Sequence, residues 1–354
     1  MGQQLLQLVG YIALVFLPQA RSDSPLPPTR ITLRPTNATL GEVATELTKL
    51  SGVNITVDPS IVKSKSTIHV DQQLFWKTLE QLAAATNAKI VLNEGGQKIG
   101  LHPRGAGQTI SSVFGPFRIV VTQVSSKRLL EYGTSIHEVH LMAHWEPRYP
   151  IYRIAAYPRI TKAHDDKGTS LVAKGGSAWV QPERAISEMK VTLSGLTPDS
   201  KSIVRLVGDY RVTASPKMLT FRFENLQAQI PIKQEQEKVQ ITLKRIAPDD
   251  GNWVVELELR YPPGQPVFES FESEVWLRDN RPRFISPDAS KSFEANGYEY
   301  AITEEQNGGR KVVAQYTFPA FGNPLAKGWK LMYETPAPLV EFAVPFELRN
   351  IPLP

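Results

Sequence analysis

Apolar residues recur along this chain at two spacings, and both are present between Arg30 and Pro103. Ile31 and Leu33 alternate with polar neighbours, the period of a strand with one buried face. Leu40, Val43, Leu47 and Leu50 follow at helical spacing behind Thr39 and Glu42, a capping box, and Ser51-Gly52 ends that helix. Ile55 and Val57 predict a strand closed by Pro59. Ile68 and Val70 predict another that runs into Asp71, a natural N-cap for the next helix. Phe75, Leu79 and Leu82 share one face of that helix, with Trp76 and Ala83 widening the stripe. Ile90 with Leu92, then Ile99 with Leu101, flank Asn93-Glu94-Gly95-Gly96 as the arms of a hairpin. The order is strand, helix, strand, strand, helix, strand, strand. Helices with a single apolar stripe need a second layer to bury it, so residues 30–103 predict a small α+β domain.

Beyond Pro103 only strand and turn signals remain. The glycine-rich start of residues 104–113 reads as a linker, and alternating strands recur from Phe114 onward. Val139, Leu141, Ala143 and Trp145 occupy one strand face, with His140, Met142 and His144 on the other. Much of this happens twice. Phe117 to Val124 is echoed by Val239 to Ile246, and the Val139 to Trp145 face by Val255, Leu257, Leu259 and Tyr261. Asp166 pairs with Asp279 in the same comparison, and Phe221 to Leu226 with Phe346 to Ile351. The echo predicts two tandem β-sandwiches, over residues 114–228 and 229–354.

The residues Thr39-Leu40-Gly41-Glu42-Val43, Leu47, Ser51-Gly52-Val53-Asn54-Ile55, Val57-Asp58-Pro59, Ile68-His69-Val70 and the Phe75 to Leu82 helix together resemble a known module. It is the short N-terminal (STN-like, secretin N0-like) domain of secretins and TonB-dependent receptors. The resemblance covers about a fifth of the chain and carries no catalytic residue. It implies a periplasmic, protein-binding module. Neither plug nor barrel follows, since nothing after Pro103 has the aromatic girdles of membrane-spanning strands. The whole layout also resembles a group of secreted bacterial proteins. That likeness rests on Gly115-Pro116-Phe117-Arg118, Trp145-Glu146-Pro147, an Asp-Lys-Gly turn and the ending Val344 to Pro354, and it implies no activity.

Composition narrows the setting. The 354 residues exceed one core and suit about three domains, and a hydrophobic share of 41% is ordinary for a soluble protein. The 40 basic and 35 acidic residues are scattered, which argues against a nucleic-acid groove and leaves a mild attraction to anionic cell-envelope polymers. Without cysteine there is no disulfide, thiol chemistry or cysteine-ligated metal. Residues 1–22 read as a signal peptide, because the apolar run from Leu5 to Leu17 is too short to span a bilayer and Ala20-Arg21-Ser22 offers small residues for cleavage. No lysine or arginine precedes that run. Residues 23–29, rich in proline, read as a linker.

Candidate chemistry is sparse. On one strand His137 and His140 would face opposite ways, and His140 and His144 would stand about 13 Å apart, too far to share a metal. Asp165-Asp166 and Asp249-Asp250 precede glycine at strand junctions, which is turn chemistry. No nucleophile elbow, phosphate loop or dinucleotide fingerprint occurs. Trp276 alternates out of phase with Phe271, Val275 and Leu277. It is therefore either an aromatic that stacks on sugar rings or a filler between two domains, while Trp145 and Trp253 fall in phase with core residues. Trp179 is a second candidate for glycan contact.

The sequence therefore predicts a non-enzymatic exported protein, periplasmic or secreted, without cofactor or metal, not membrane-spanning once its signal is removed. An α+β domain would bind an envelope protein, with strand addition at a sheet edge as the mode. The alternatives are a cell-wall glycan binder using Trp276 or Trp179, and a hydrolase whose site is assembled from distant loops.

Overall fold

The computed structural model describes residues 24–94, 98–197, 199–227, 230–264, 266, 275–306 and 308–354, so the expected signal peptide, residues 1–22, lies outside them. The chain is mostly β, with 55% of residues in strands and two helices. Among the described residues no helix is long and apolar enough to cross a membrane. Buried apolar side chains gather in three cores, and the bodies around them are taken in turn.

The first body runs β1 (Arg30–Leu33), β2 (Ala38–Thr39), α1 (Leu40–Ser51), β3 (Asn54–Val57), β4 (Lys65–Ser66), β5 (Val70–Leu74), α2 (Phe75–Ala85), β6 (Ala88–Asn93) and β7 (Lys98–Pro103). β1 pairs with β5 and β2 with β4, while β7 lies between a parallel β3 and an antiparallel β6. The capping box of α1 is present in full, and Gly52 ends the helix at φ 71°, a left-handed conformation that glycine adopts without a Cβ penalty. Asp71 does not cap α2. It lies within β5 and accepts from Thr32 Oγ1 at 3.1 Å, while Leu74 holds the cap position without a side-chain bond. The main chain meets the need instead, since Phe75 N donates to the Thr29 carbonyl at 3.0 Å.

The second body begins with β8 (Ser111–Phe114), β9 (Phe117–Leu129), β10 (Thr134–Trp145), β11 (Ile151–Ala155), β12 (Arg159–Asp165), β13 (Val172–Lys174), β14 (Trp179–Val180), β15 (Ile186–Ser194) and β16 (Ser202–Ala214). The third has β17 (Met218–Phe223), β18 (Ile232–Gln236), β19 (Val239–Asp249), β20 (Asn252–Tyr261), a 3-10 turn at Val275–Asp279, β21 (Arg281–Ile285), β22 (Ser292–Glu294), β23 (Gly297–Glu304), β24 (Arg310–Phe318) and β25 (Lys330–Pro336). The last strand is β26 (Val340–Pro352).

One sheet of the second body has the order β8-β9-β10-β15-β13, and one sheet of the third has β18-β19-β20-β24-β23. The echo of 117–124 in 239–246 thus falls on β9 and β19, and that of the Val139 face on β10 and β20. Each of these hairpins also carries one irregularity, at His140/Leu141 and at Leu243/Arg245. The Asp166 and Asp279 match is not upheld. Asp279 precedes β21, whereas the turn after β21 is anchored by Asp288, as Asp165 anchors the turn after β12.

The remaining sheets do not divide at 228/229. β16 pairs with β26 along its length, and β17 pairs with β25, so Val344 to Ile351 complete the second core while Leu219 to Leu226 belong to the third. The register runs without a slip from Ser202↔Pro352 to Ala214↔Val340, and resumes from Met218↔Pro336 to Phe223↔Leu331. Two long antiparallel segments, each broken once near Pro216 and Pro338, therefore serve both bodies. Alternation alone cannot reveal this, because the inward face of a strand is the same whichever neighbour it pairs with.

Neither predicted linker is wholly a linker. Leu26 is fully buried in the second core, Thr29 N donates to Glu146 Oε1 at 2.9 Å, and Arg148 Nη2 donates to the Pro27 carbonyl at 2.7 Å. Ser111 to Val113, assigned to the second linker, form β8 against β9.

Candidate functional site

The helices of the first body lie against its sheets through Leu40, Val43, Leu47, Phe75, Leu79 and Leu82, all buried. α2 is buried on a second side as well. Trp76 is fully buried, and its Nε1 donates to the Pro116 carbonyl at 2.9 Å. Glu80 accepts from Arg118 Nε at 2.9 Å and from Ser111 Oγ. Arg118 also donates from Nη1 to His144 Nδ1 at 3.2 Å, and the His144 ring lies 5.9 Å from that of Trp76. The outer face of α2 and the segment before β1 are thus consumed by contact with the second body.

The three-stranded sheet is less enclosed. It ends in β3 and β6, and the outer side of β3 is partly met by α1, because Ile55 N donates to Thr48 Oγ1 at 3.1 Å. β6 pairs with β7 on one side only. The Ala88 carbonyl at its start accepts from Arg104 Nε at 3.1 Å, Lys89 is exposed, and Ile90 to Asn93 are half-buried. A strand with one unpaired side presents main-chain donors and acceptors that a second extended chain can complete.

Trp276 does not face solvent. It lies in a 3-10 turn rather than a strand, so the alternation that set it opposite Leu277 does not apply, and both are buried, at 2% and 4% exposure. Its ring meets Tyr261 edge to face at 4.8 Å. Asp279 Oδ2, at the end of the turn, accepts from Tyr152 Oη at 3.0 Å, and Tyr152 of β11 packs into the third core. Trp276 therefore belongs to the core beside the junction of the two bodies and offers no face to a glycan. Phe271, used in its phasing, lies outside the described residues.

Trp179 is half-buried at the start of β14, on the outer face of the sheet. The Arg153 guanidinium lies 4.3 Å from its ring centre and that of Arg211 5.7 Å. Arg153, itself buried, donates to Thr213 Oγ1 at 3.0 Å and to Glu341 Oε2 at 2.8 Å, and Arg211 pairs with Glu341 Oε1. These partners come from β11, β16 and β26, so no local sequence signal announces the cluster. A groove of about 630 Å³ runs beside it past Tyr157, whose ring is 40% exposed.

The remaining candidates resolve as structure. His137 Nδ1 lies 2.7 Å from Ser126 Oγ and His144 is engaged by Arg118; among the described residues no group of three His, Asp or Glu side chains could hold a metal. Asp165 accepts from Lys167 N, Thr169 N, Thr197 N and Ser200 Oγ. Burial works against its ionisation, but these bonds outweigh it and hold its carboxyl well below the usual range. Asp250 and Gly251, at φ 43° and 78°, form the two-residue turn between β19 and β20. Trp145 is core, whereas Trp253 is half-buried and donates from Nε1 to the carbonyls of Phe321 and Gly322, each at 3.2 Å. No family model, curated protein or solved structure matches this chain.

Proposed function

We propose that this is an exported bacterial protein that captures an envelope protein through its first body, with two β-sandwich bodies as carrier and no catalysis of its own. The two helices, each set between strands and apart from the short β2 and β4 in the expected order, and the mixed sheet support reading residues 30–103 as a domain of the kind found in secretins and TonB-dependent receptors. The apolar run before Ala20 supports export.

The observation that carries the reading is the one-sided pairing of β6. The outer face of α2 is spent on Pro116 and Arg118, while β6 keeps, among the described residues, a row of main-chain groups without a strand partner. Addition of one extended segment there would continue a three-stranded sheet without moving the core. A photo-crosslinking amino acid placed at Lys89 or Val91 of the full chain, in cells of the native host, should give one discrete adduct. The same group at Lys49 on α1 should give none. Equal labelling from all three positions, or none from β6, would count against the reading.

A further inference from the structure

A cleft of about 450 Å³ opens on the flank of the third body, where the edges of its two sheets diverge at β21 and β22 on one side and β23 and β24 on the other. Its floor is Asn280, 8% exposed, which donates from Nδ2 to Tyr316 Oη at 3.4 Å. Tyr316 Oη in turn lies 3.1 Å from Tyr333 Oη. Asn280 Oδ1 is buried and has no hydrogen-bond partner. Asn280 and Tyr316 both line the cleft, so its floor is polar and suits hydroxyl groups.

The walls and rim add two further demands. The Tyr298 ring is 47% exposed and is held near-parallel to that of Tyr300, at 5.9 Å and 14°, so it presents a flat apolar face. Arg278 and Arg281 are exposed at the rim and have no carboxylate partner among the described residues, whereas Arg283 pairs with Glu334 at 3.1 Å. Glu294 lies on the opposite wall.

We infer that this cleft binds an acidic pyranose within an anionic polysaccharide, a site separate from β6 and from Trp179. A sugar acid meets all three demands at once. Its hydroxyls suit the polar floor and can donate to Glu294, its ring C–H face covers Tyr298, and its carboxylate matches the guanidinium fork of Arg281 or Arg278. A small inorganic anion would use the arginines alone, and a neutral sugar would leave them idle. The volume lies within the range of small-ligand sites.

The test is titration calorimetry of the full chain with short oligogalacturonate, and with a cello-oligosaccharide of equal length as the neutral control. Binding of the first and not the second is expected. Arg278→Ala with Arg281→Ala should weaken it about tenfold or more, Tyr298→Ala should weaken it similarly, and Trp179→Ala should leave it unchanged. Both altered surfaces are exposed, so folding can be verified independently by thermal melting. Absence of oligogalacturonate binding, or binding indifferent to the rim arginines, would overturn the inference. So would equal binding of linear polyphosphate with no effect of Tyr298→Ala, which would reduce the site to charge. Crosslinking from β6 is read separately, so failure here leaves that result standing.

Discussion

Glu138 in the second body and Glu258 in the third each lie on the middle strand of a five-stranded sheet, with a lysine reaching in from either neighbour. Glu138 accepts from Lys127 at 2.8 Å and Lys190 at 3.0 Å; Glu258 accepts from Lys244 at 3.2 Å and Lys311 at 3.3 Å. Lys190 stands opposite His140 and Lys311 opposite Arg260, in each case two residues beyond the glutamate. In the register of the echoed apolar face Glu258 matches Met142 rather than Glu138, so the two charge clusters stand at different heights on corresponding strands.

This pairing predicts a shared acid response. Hydrogen bonds from Lys127 and Lys190 lower Glu138 from 4.5 to about 2. Glu258 also falls to about 2, because bonds from Arg260, Lys244 and Lys311 outweigh burial. The unfolded carboxyls take up protons first, so stability present above pH 4.5 is lost as pH falls toward about 2. Replacing both by Gln should lower Tm at neutral pH and flatten its decline over that window, measured by melting at a series of pH values.

His144 controls a different window. Burial, and then the Arg118 charge, push it from 6.5 to about 3. Arg118 can only donate, so Nδ1 must remain an acceptor. Below pH 6.5 the unfolded chain gains a proton that the folded one refuses, and stability falls as pH drops from 6.5 toward about 3. Between 6.5 and 4.5 the two glutamates contribute little, and the slope should be about 1 kcal/mol per pH unit. His144→Asn should remove most of it. His137 is lowered in the same direction by burial, so His137→Asn is the comparison.

Trp76 tests the seam between the first two bodies. Trp76→Phe keeps most of the ring but removes one of two donors to the Pro116 carbonyl, which retains Glu146 N at 3.1 Å, and should cost about 1 kcal/mol in urea unfolding. Trp76→Ala opens a cavity as well and should cost about 3–5 kcal/mol.

Glu341 tests the ladder beneath Trp179. Glu341→Gln weakens one charge-assisted partner of the buried Arg153 guanidinium and of Arg211, and a loss of about 2 kcal/mol is expected. Thr213→Val, which removes a neutral partner, should cost about 1 kcal/mol. Denaturant titration followed by tryptophan fluorescence reads both.

Local chemistry was legible in the sequence where its cause was local. The capping box at Thr39 and Glu42, the hairpin arms around residue 95 and the Asp250-Gly251 turn each depend on neighbours a few positions away. Of the two readings of Trp276 the glycan-stacking one fails, because period-two reasoning does not hold across a 3-10 turn, and Asp71 does not cap α2 because a main-chain bond from Phe75 replaces its role. Leu26 looked like part of a proline-rich spacer, but only the assembled second body supplies the pocket that buries it. The clusters around Arg153 and Asn280 draw on strands far apart in the chain, and no window of sequence contains them.

The exchange of β17 and β26 sets an order of assembly. Arg205 waits for Glu347, 142 residues later, so the second body lacks an edge of its sheet until residues 340–352 have been synthesised. The third body waits almost as long, since β17 pairs with β25, but β25 is complete at Pro336, before β26 begins at Val340. The later body can therefore mature first, and the earlier one closes around the strand it returns. Until then β16 remains bare on one side in the nascent chain, the stage at which an unwanted partner or a chaperone would find it.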